Sequence, residues 1–120
     1  MKKKPFGSGL ITKIKNKKNV IFKRTINIET SIHDTWLEWM KSEHIPAMLA
    51  TKKFSKALMT KVLFEQEMDG VTDSAQYTTD SKETLKRYYA EDSERLRKLS
   101  QPFTGKFVAF RTELEVIDEQ

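Results

Sequence analysis

The residues best suited to chemistry lie in one stretch, SIHDTWLEWMKSEHIPAML, which spans residues 31–49 and contains two Trp and two His. Near its end, Glu43 and His44 place a carboxylate beside an imidazole, just before Pro46. Such a pair suits proton transfer, because histidine titrates near neutral pH and a carboxylate can exchange or orient its proton. Glu43 and His44 are therefore the first candidates for a functional site.

The helical phase of this stretch decides which side chains face the core. With Ile32 at zero and about 100° per residue, Trp36 falls near 40° and Trp39 near −20°, so both lie on the buried stripe. This position predicts core anchors, which could also line a ligand cavity. On the same wheel Glu43 falls near 20° and His44 near 120°. Two interpretations stay open: the helix frays and Glu43 turns to water, or Glu43 pairs with His44 at a cavity mouth.

Metal and organic cofactor sites lack a supporting pattern. His33 and His44 are the only His residues, and eleven residues of helix separate them by about 16 Å, too far to share a metal. The chain contains no Cys, and its four Gly are scattered rather than grouped in a phosphate-binding loop. No Ser lies in a nucleophile elbow. We therefore expect no metal and no organic cofactor.

Charge is distributed unevenly along the 120 residues. Residues 1–19 carry seven of the 22 basic residues and no acid, so the net charge of +5 leaves about −2 for the remainder. This composition predicts a flexible basic arm over residues 1–18 and a single domain over residues 19–120. No apolar run approaches the roughly 18 residues of a membrane span. We expect a cytoplasmic protein without a membrane span, for which nucleic acid is a disfavoured partner.

The first predicted strand is NVIFKRTINIET, residues 19–30. Its alternation places Val20, Phe22, Ile26 and Ile28 on one buried face, with Arg24 the exception. A helix should follow, with Ser31 as N-cap and Asp34 as its capping-box partner. Pro46 should end this helix by disfavouring helical geometry at Ile45, and could open a short second helical turn.

The remaining pattern completes the order β-α-β-β-α-β. Strands are predicted at residues 54–64 and 71–79, joined by a turn with Asp69–Gly70 at its tip. A second helix should start at Asp80 or Ser81 and stop before Pro102, followed by a fourth strand over residues 106–117. The sequence therefore predicts an α+β, ferredoxin-like fold with an antiparallel sheet of order 4-1-3-2 and both helices on one face.

The two sheet faces receive different predictions. The apolar face of the fourth strand is expected to contain Val108, Phe110, Leu114 and Val116. The face away from the helices is expected to be polar, with Thr25, Asn27, Ser74, Gln76, Ala109, Arg111 and Glu113. Because a chain of this length has no other element to cover that face, we expect a symmetric homodimer through it, with Arg111 and Glu113 at the contact.

The assumed topology brings several candidate side chains to one end of the fold. Glu43 and His44 end the first helix where Tyr77 ends the third strand and the second helix begins with Leu85, Tyr88 and Tyr89. The predicted ligand site consists of Glu43, His44, Tyr77, Tyr89 and Trp39. A small number of polar groups on aromatic walls is typical of a small-molecule site. Asp92, on the predicted stripe of the second helix, is expected to be structural and to accept from Arg95 or from a buried indole N–H.

Long motifs carry a family resemblance. TINIETSIHDTWLEWMKSEHIPAMLATKKF, YYAEDSERLR and KFVAFRTELEVID resemble a bacterial family known as domain of unknown function 4286, over about residues 20–118. The resemblance implies a dimeric α/β-barrel type of ferredoxin-like domain, without an assigned activity or catalytic residue. Its superfamily includes cofactor-free monooxygenases, haem-handling enzymes, isomerase-like proteins and non-catalytic binders, among which fold alone does not choose.

Three functions follow from these observations. The leading prediction is a dimeric domain that binds a small apolar or aromatic molecule, with enzymatic activity independent of a cofactor as an open extension. The second is a non-catalytic assembly or regulatory module with a solid interior. The third is binding of nucleic acid or another anionic surface through the lysine arm. An open cavity of roughly 300 Å³ or more beside His44 would favour the first over the second.

Overall fold

The computed structural model describes residues 18–63 and 69–120. Four strands, β1 (Val20–Ile28), β2 (Lys56–Lys61), β3 (Val71–Thr79) and β4 (Phe107–Glu115), pair in the order β2-β3-β1-β4. Every pairing is antiparallel. The order confirms the predicted 4-1-3-2 sheet and the α+β, ferredoxin-like class. The predicted arm lies outside the described residues, apart from Lys18.

The first helical layer is longer than the sequence predicts. A 3-10 turn (Thr30–Ile32) leads into α1 (His33–Trp39), a single π turn (Met40–His44) and α2 (Ile45–Ala50). The predicted break before Pro46 is wrong, because Ile45 has helical angles of φ −61° and ψ −44°. Pro46 lies in the first turn of α2, where a missing backbone N–H is tolerated. None of the helices within residues 18–63 and 69–120 combines the length and apolar character that crossing a membrane requires.

The predicted capping box at the start of this layer does not form. Ile32 occupies the position before α1, and no side chain in the described part of the chain caps this end. The carboxylate of Asp34 lies instead 3.3 Å from Nδ1 of His33. Because Ser31 falls in the 3-10 turn, its side chain is not placed to accept from the first turn of α1.

The second helical layer is divided in two. α3 (Lys82–Glu91) begins at Ser81, whose Oγ accepts a hydrogen bond from the Thr84 N–H at 3.1 Å, as predicted. A break at Asp92, with φ −128° and ψ −28°, separates α3 from α4 (Ser93–Lys98). Within α3, Tyr88 is buried and Tyr89 is only partly buried, although the predicted site contains Tyr89.

Asp92 holds this break in place. Its carboxylate accepts from Lys53 Nζ at 2.6 Å and from Arg95 at 3.0 Å, and Arg95 is one of the two predicted donors. Lys53 also lies 2.9 Å from Glu91. Burial alone would raise the pKa of Asp92, but the hydrogen bonds from Lys53 and Arg95 lower it below its usual value. The cluster therefore ties the segment after α2 to the second helical layer.

The sheet buries one face under the helices. Val20, Phe22, Ile26 and Ile28 of β1 are all buried, as predicted. The prediction that Val108 and Phe110 lie on the buried face of β4 is wrong. Cross-strand partners share a face of the sheet. The residues of β4 that pair with Ile28, Ile26 and Arg24, and therefore face the helices, are Phe107, Ala109 and Arg111.

The outward face is consequently more apolar than predicted. Thr25, Asn27, Ser74 and Gln76 lie on it as expected, but Ala109, Arg111 and Glu113 face the helices. Val108 and Phe110 point outward, each with 62% of its surface exposed. Arg111 and Glu113 are therefore excluded from the sheet-to-sheet contact in which they were expected.

The turn before β3 supplies a test of the fold. Gly70 has φ +96°, and an added Cβ would lie 2.6 Å from the backbone oxygen of Ile28. Gly105 has a similar φ of +83° but open space around it. Gly105→Ala should cost about 1–2 kcal/mol for the left-handed backbone alone. Gly70→Ala should cost distinctly more in urea unfolding, because β1 must also move. Equal losses would contradict this packing.

Candidate functional site

A cavity of about 250 Å³ lies between the helical layers and the sheet. Strands β1, β3 and β4 form its floor, and α1, the π turn, α2 and the second helical layer form its walls. Aromatic rings make up much of the lining: Phe22, Trp36, Trp39, Tyr77, Tyr88 and Phe107. The interior beside the helices is therefore open rather than solid.

The π turn places His44 in this cavity. In a regular α-helix, residues five apart differ by about 140° and do not face each other. The π turn accommodates one extra residue, and its N–H bonds span five residues, from Ile45 to the oxygen of Met40. As a result the rings of Trp39 and His44 stack, with centroids 5.0 Å apart and planes 28° apart.

The same extra residue removes Glu43 from the site. Glu43 is exposed and is not among the residues that line the cavity. Glu43 is therefore not paired with His44 at the cavity mouth. Its position agrees with the other interpretation, in which the carboxylate turns to water. His44 reaches the cavity without it.

Two of the tyrosines considered from the sequence line the cavity. Tyr77 does so from β3, as predicted, and Tyr88 from α3, where its hydroxyl donates to Met48 Sδ at 3.3 Å. Tyr89 lies beside the cavity rather than in its lining. Its hydroxyl donates to Glu113, and the Arg111 guanidinium lies 4.6 Å from the centre of its ring.

Positive charge distinguishes the cavity. Arg24, Arg97 and Arg111 line it, and within the described residues none of the lining positions is Asp or Glu. Arg24 and Arg111 are direct cross-strand partners. Sequence reasoning missed these residues as a site, although Arg24 was marked by interrupting the apolar alternation of β1.

The surroundings of His44 and Tyr77 in the cavity favour the uncharged form of each side chain. Burial, reinforced by the nearby charge of Arg24, lowers the pKa of His44 to about 4. Burial, together with the neighbouring Tyr88, raises the pKa of Tyr77 well above its usual value. At neutral pH His44 is uncharged and is a weak base, so it suits hydrogen bonding better than proton abstraction. The positive charge of the cavity then belongs to its arginines.

A second histidine forms a pair that the sequence did not reveal. Nε2 of His33 lies 2.6 Å from the buried carboxylate of Asp73 on β3, while Nδ1 faces Asp34. Neither His33 nor Asp73 lines the cavity. The pair therefore ties the start of α1 to the sheet, at a position outside the candidate site.

Metal binding receives no support from this part of the chain. Across residues 18–63 and 69–120, no three His, Asp or Glu side chains are grouped so that they could hold a metal ion.

The family follows from the sequence comparison. The family model described as "Domain of unknown function (DUF4286)" matches residues 19–117. The chain belongs to the DUF4286 family. Comparison with curated proteins finds no match. The family assignment confirms the resemblance carried by the long motifs, and it supplies no activity.

Two solved structures show the same fold as this DUF4286 protein. A dimeric ferredoxin-like protein from an uncultured marine organism is 11% identical, with a TM-score of 0.64, covering 87% of this chain and 99% of its own. A member of the ethyl tert-butyl ether d (EthD) family from Bacillus halodurans is 10% identical, with a TM-score of 0.58, covering 84% and 99%. At these identities the likeness establishes the fold alone.

The burial of His44 should make the free energy of unfolding depend on pH under acidic conditions. Between its ordinary pKa of 6.5 and its folded value of about 4, only the unfolded chain takes up the proton. The free energy of unfolding should therefore fall by up to about 3 kcal/mol as the pH drops through this window, then lose this dependence.

Urea unfolding at pH 7, 5.5 and 4 measures the effect. His44→Gln should reduce the dependence in this window to the part that Glu91 and Asp92 contribute near pH 4, whereas His33→Gln, which changes the other imidazole, should retain the contribution of His44. An unchanged pH profile in His44→Gln would show that this ring is not desolvated.

Proposed function

We propose that this protein binds a small aromatic or apolar molecule in the cavity between its helices and its sheet. The observation that carries the proposal is the cavity itself, about 250 Å³ with aromatic walls and a few inward polar groups. Ligand pockets usually have volumes of about 300–1,000 Å³, so the cavity is slightly below that range and suits a small ligand. Trp39, His44 and Tyr77 of the predicted site would contact it.

The geometry favours binding over the other functions considered. A module with a solid interior would not need a half-buried Arg24, with its Nε shielded from solvent, beside an open volume. Nδ1 of His44 is buried and has no hydrogen-bond partner in the described part of the chain. A polar ligand atom would satisfy it. Binding through the lysine arm concerns residues outside the described range.

The cytoplasmic location stays a prediction, which cell fractionation would test.

Intrinsic fluorescence offers a direct test of the proposed function. Trp36 and Trp39 are the only two Trp in the chain, and both line the cavity. Titration with two aromatic probes of nearly equal shape, phenylacetamide and phenylacetate, should therefore change the emission in a saturable way for at least one of them. A flat titration with both probes would contradict the proposal.

Two neighbouring residues of β4 provide a matched pair of variants for this titration. Ala109 faces the cavity, whereas Val108 faces outward. Ala109→Leu should fill part of the cavity and weaken probe binding at least tenfold, while Val108→Leu should leave binding unchanged. Equal effects of the two variants would place the probe elsewhere.

We further propose that two copies of this chain associate through the outward sheet face. Leu58, Val108 and Phe110 are each more than half exposed there, which is a larger apolar surface than a lone sheet face usually shows to water. Near the middle of this face, Ser74 is buried and its Oγ has no hydrogen-bond partner among the described residues. The structural relative from the marine organism is described as dimeric.

Charge placed on that face should dissociate the dimer. Phe110→Glu should shift the mass measured by light scattering at micromolar concentration from a dimer towards a monomer. Leu99→Glu is the matched control, because Leu99 is a 44% exposed apolar residue after α4, away from the sheet face. A monomeric wild-type protein would contradict the proposal.

A further inference from the structure

The cavity contains a charge that the described protein does not compensate. Nε of Arg24 is buried, and no hydrogen-bond partner for it exists among the described residues. The ion pairs within residues 18–63 and 69–120 do not include Arg24. Arg24 is half-buried, and leaving its shielded Nε–H without an acceptor is costly, so this position calls for a ligand or a counter-charge.

The surroundings increase this cost. Arg111 is the direct cross-strand partner of Arg24 on the cavity face, and like charges directly opposite each other repel. Arg97 adds a third guanidinium from α4. Arg111 is partly accommodated by the ring of Tyr89, but Arg24 has no such contact within the described residues. Arg97 and Arg111 are exposed to solvent, whereas Arg24 is half-buried with its Nε shielded, so Arg24 is the least compensated of the three.

The apolar lining surrounds these charges. Phe22, Trp36 and Phe107 are among the rings that line the same volume. An arginine fork binds a carboxylate through two parallel hydrogen bonds, and the rings would contact an apolar body. The cavity therefore combines an anion-binding group with an aromatic cage of limited volume.

We propose that the natural ligand is a small aromatic or aliphatic carboxylate whose anionic group pairs with Arg24. This inference rests on the proposed function, because it assigns a ligand class to the same cavity. Its apolar part lies against Trp36 and Trp39, and its oxygen atoms satisfy Arg24 and the free nitrogen of His44. The carboxylate also neutralises the repulsion between Arg24 and Arg111.

Competition between isosteric probes tests the ligand class. Phenylacetate and phenylacetamide have nearly the same shape, but only the first is anionic. The wild-type protein should bind phenylacetate at least about tenfold more tightly, since hydrogen bonds to a charged group are stronger than neutral ones. Tryptophan fluorescence, with isothermal titration calorimetry as a second readout, measures both affinities.

Variants of Arg24 locate the selectivity. Arg24→Met should abolish the preference for phenylacetate, and Arg24→Lys should retain part of it. Arg87→Met is the matched control, because it removes the same charge from an exposed position on α3. Arg24→Met should also melt at the same temperature as the wild type or higher, because it removes a half-buried charge that has no ion-pair partner among the described residues. A lower melting temperature would show that Arg24 is structural and would overturn the inference.

The outcomes separate this inference from the proposed function. Equal affinity for the two probes, with both excluded by Ala109→Leu, would overturn the ligand class while leaving the cavity as a binding site. Binding of neither probe would overturn the proposed function together with the inference. A preference for phenylacetate that survives in Arg24→Met but disappears in Arg111→Gln would reassign the anion to Arg111 and overturn the role of Arg24.

Discussion

One extra residue in the helical turn Met40–His44 determines which side chains the first helical layer presents to the sheet. A uniform α-helix through this segment would direct Glu43 at the core and leave His44 at its edge. The π turn rotates the following residues, so that His44 stacks on Trp39 and Glu43 meets solvent. The places of His44 and Met48 in the cavity lining depend on this rotation.

Pro46 is the sequence feature associated with the π turn. A proline inside a helix removes one backbone donor and crowds the preceding turn. Here the chain does not break but widens by one residue, and Pro46 then lies in the first turn of α2. Because π turns are often found at functional sites, the position of this one beside the cavity agrees with the function that we propose.

The fold was predictable because its signals are local and periodic. The alternation of Val20, Phe22, Ile26 and Ile28 identifies the buried face of β1, and Ser81 marks the start of α3. The order of elements then leaves few topologies, of which the observed one is common. Such features need no knowledge of distant contacts.

The site was less predictable, because it depends on phase and register. Alternation in β4 shows which residues share a face, but only the pairing of Ala109 with Ile26 shows which face is buried. One inserted residue at the π turn changed the helical face and exchanged Glu43 for His44, while the orientation of α3 on the sheet brings Tyr88 rather than Tyr89 into the lining. The pair of His33 with Asp73 joins residues 40 positions apart and has no signal in the local sequence.

Strand β1 connects the two functions that we propose. Alternate residues of one strand point to opposite faces, so Arg24 faces the cavity while Lys23 and Thr25 face outward. Arg24 pairs in register with Arg111, and Thr25 with Phe110 on the opposite face. A shift of β4 by one residue would exchange these faces, placing Arg111 on the outward face and Phe110 in the cavity. Ligand binding and association therefore depend on the same strand register.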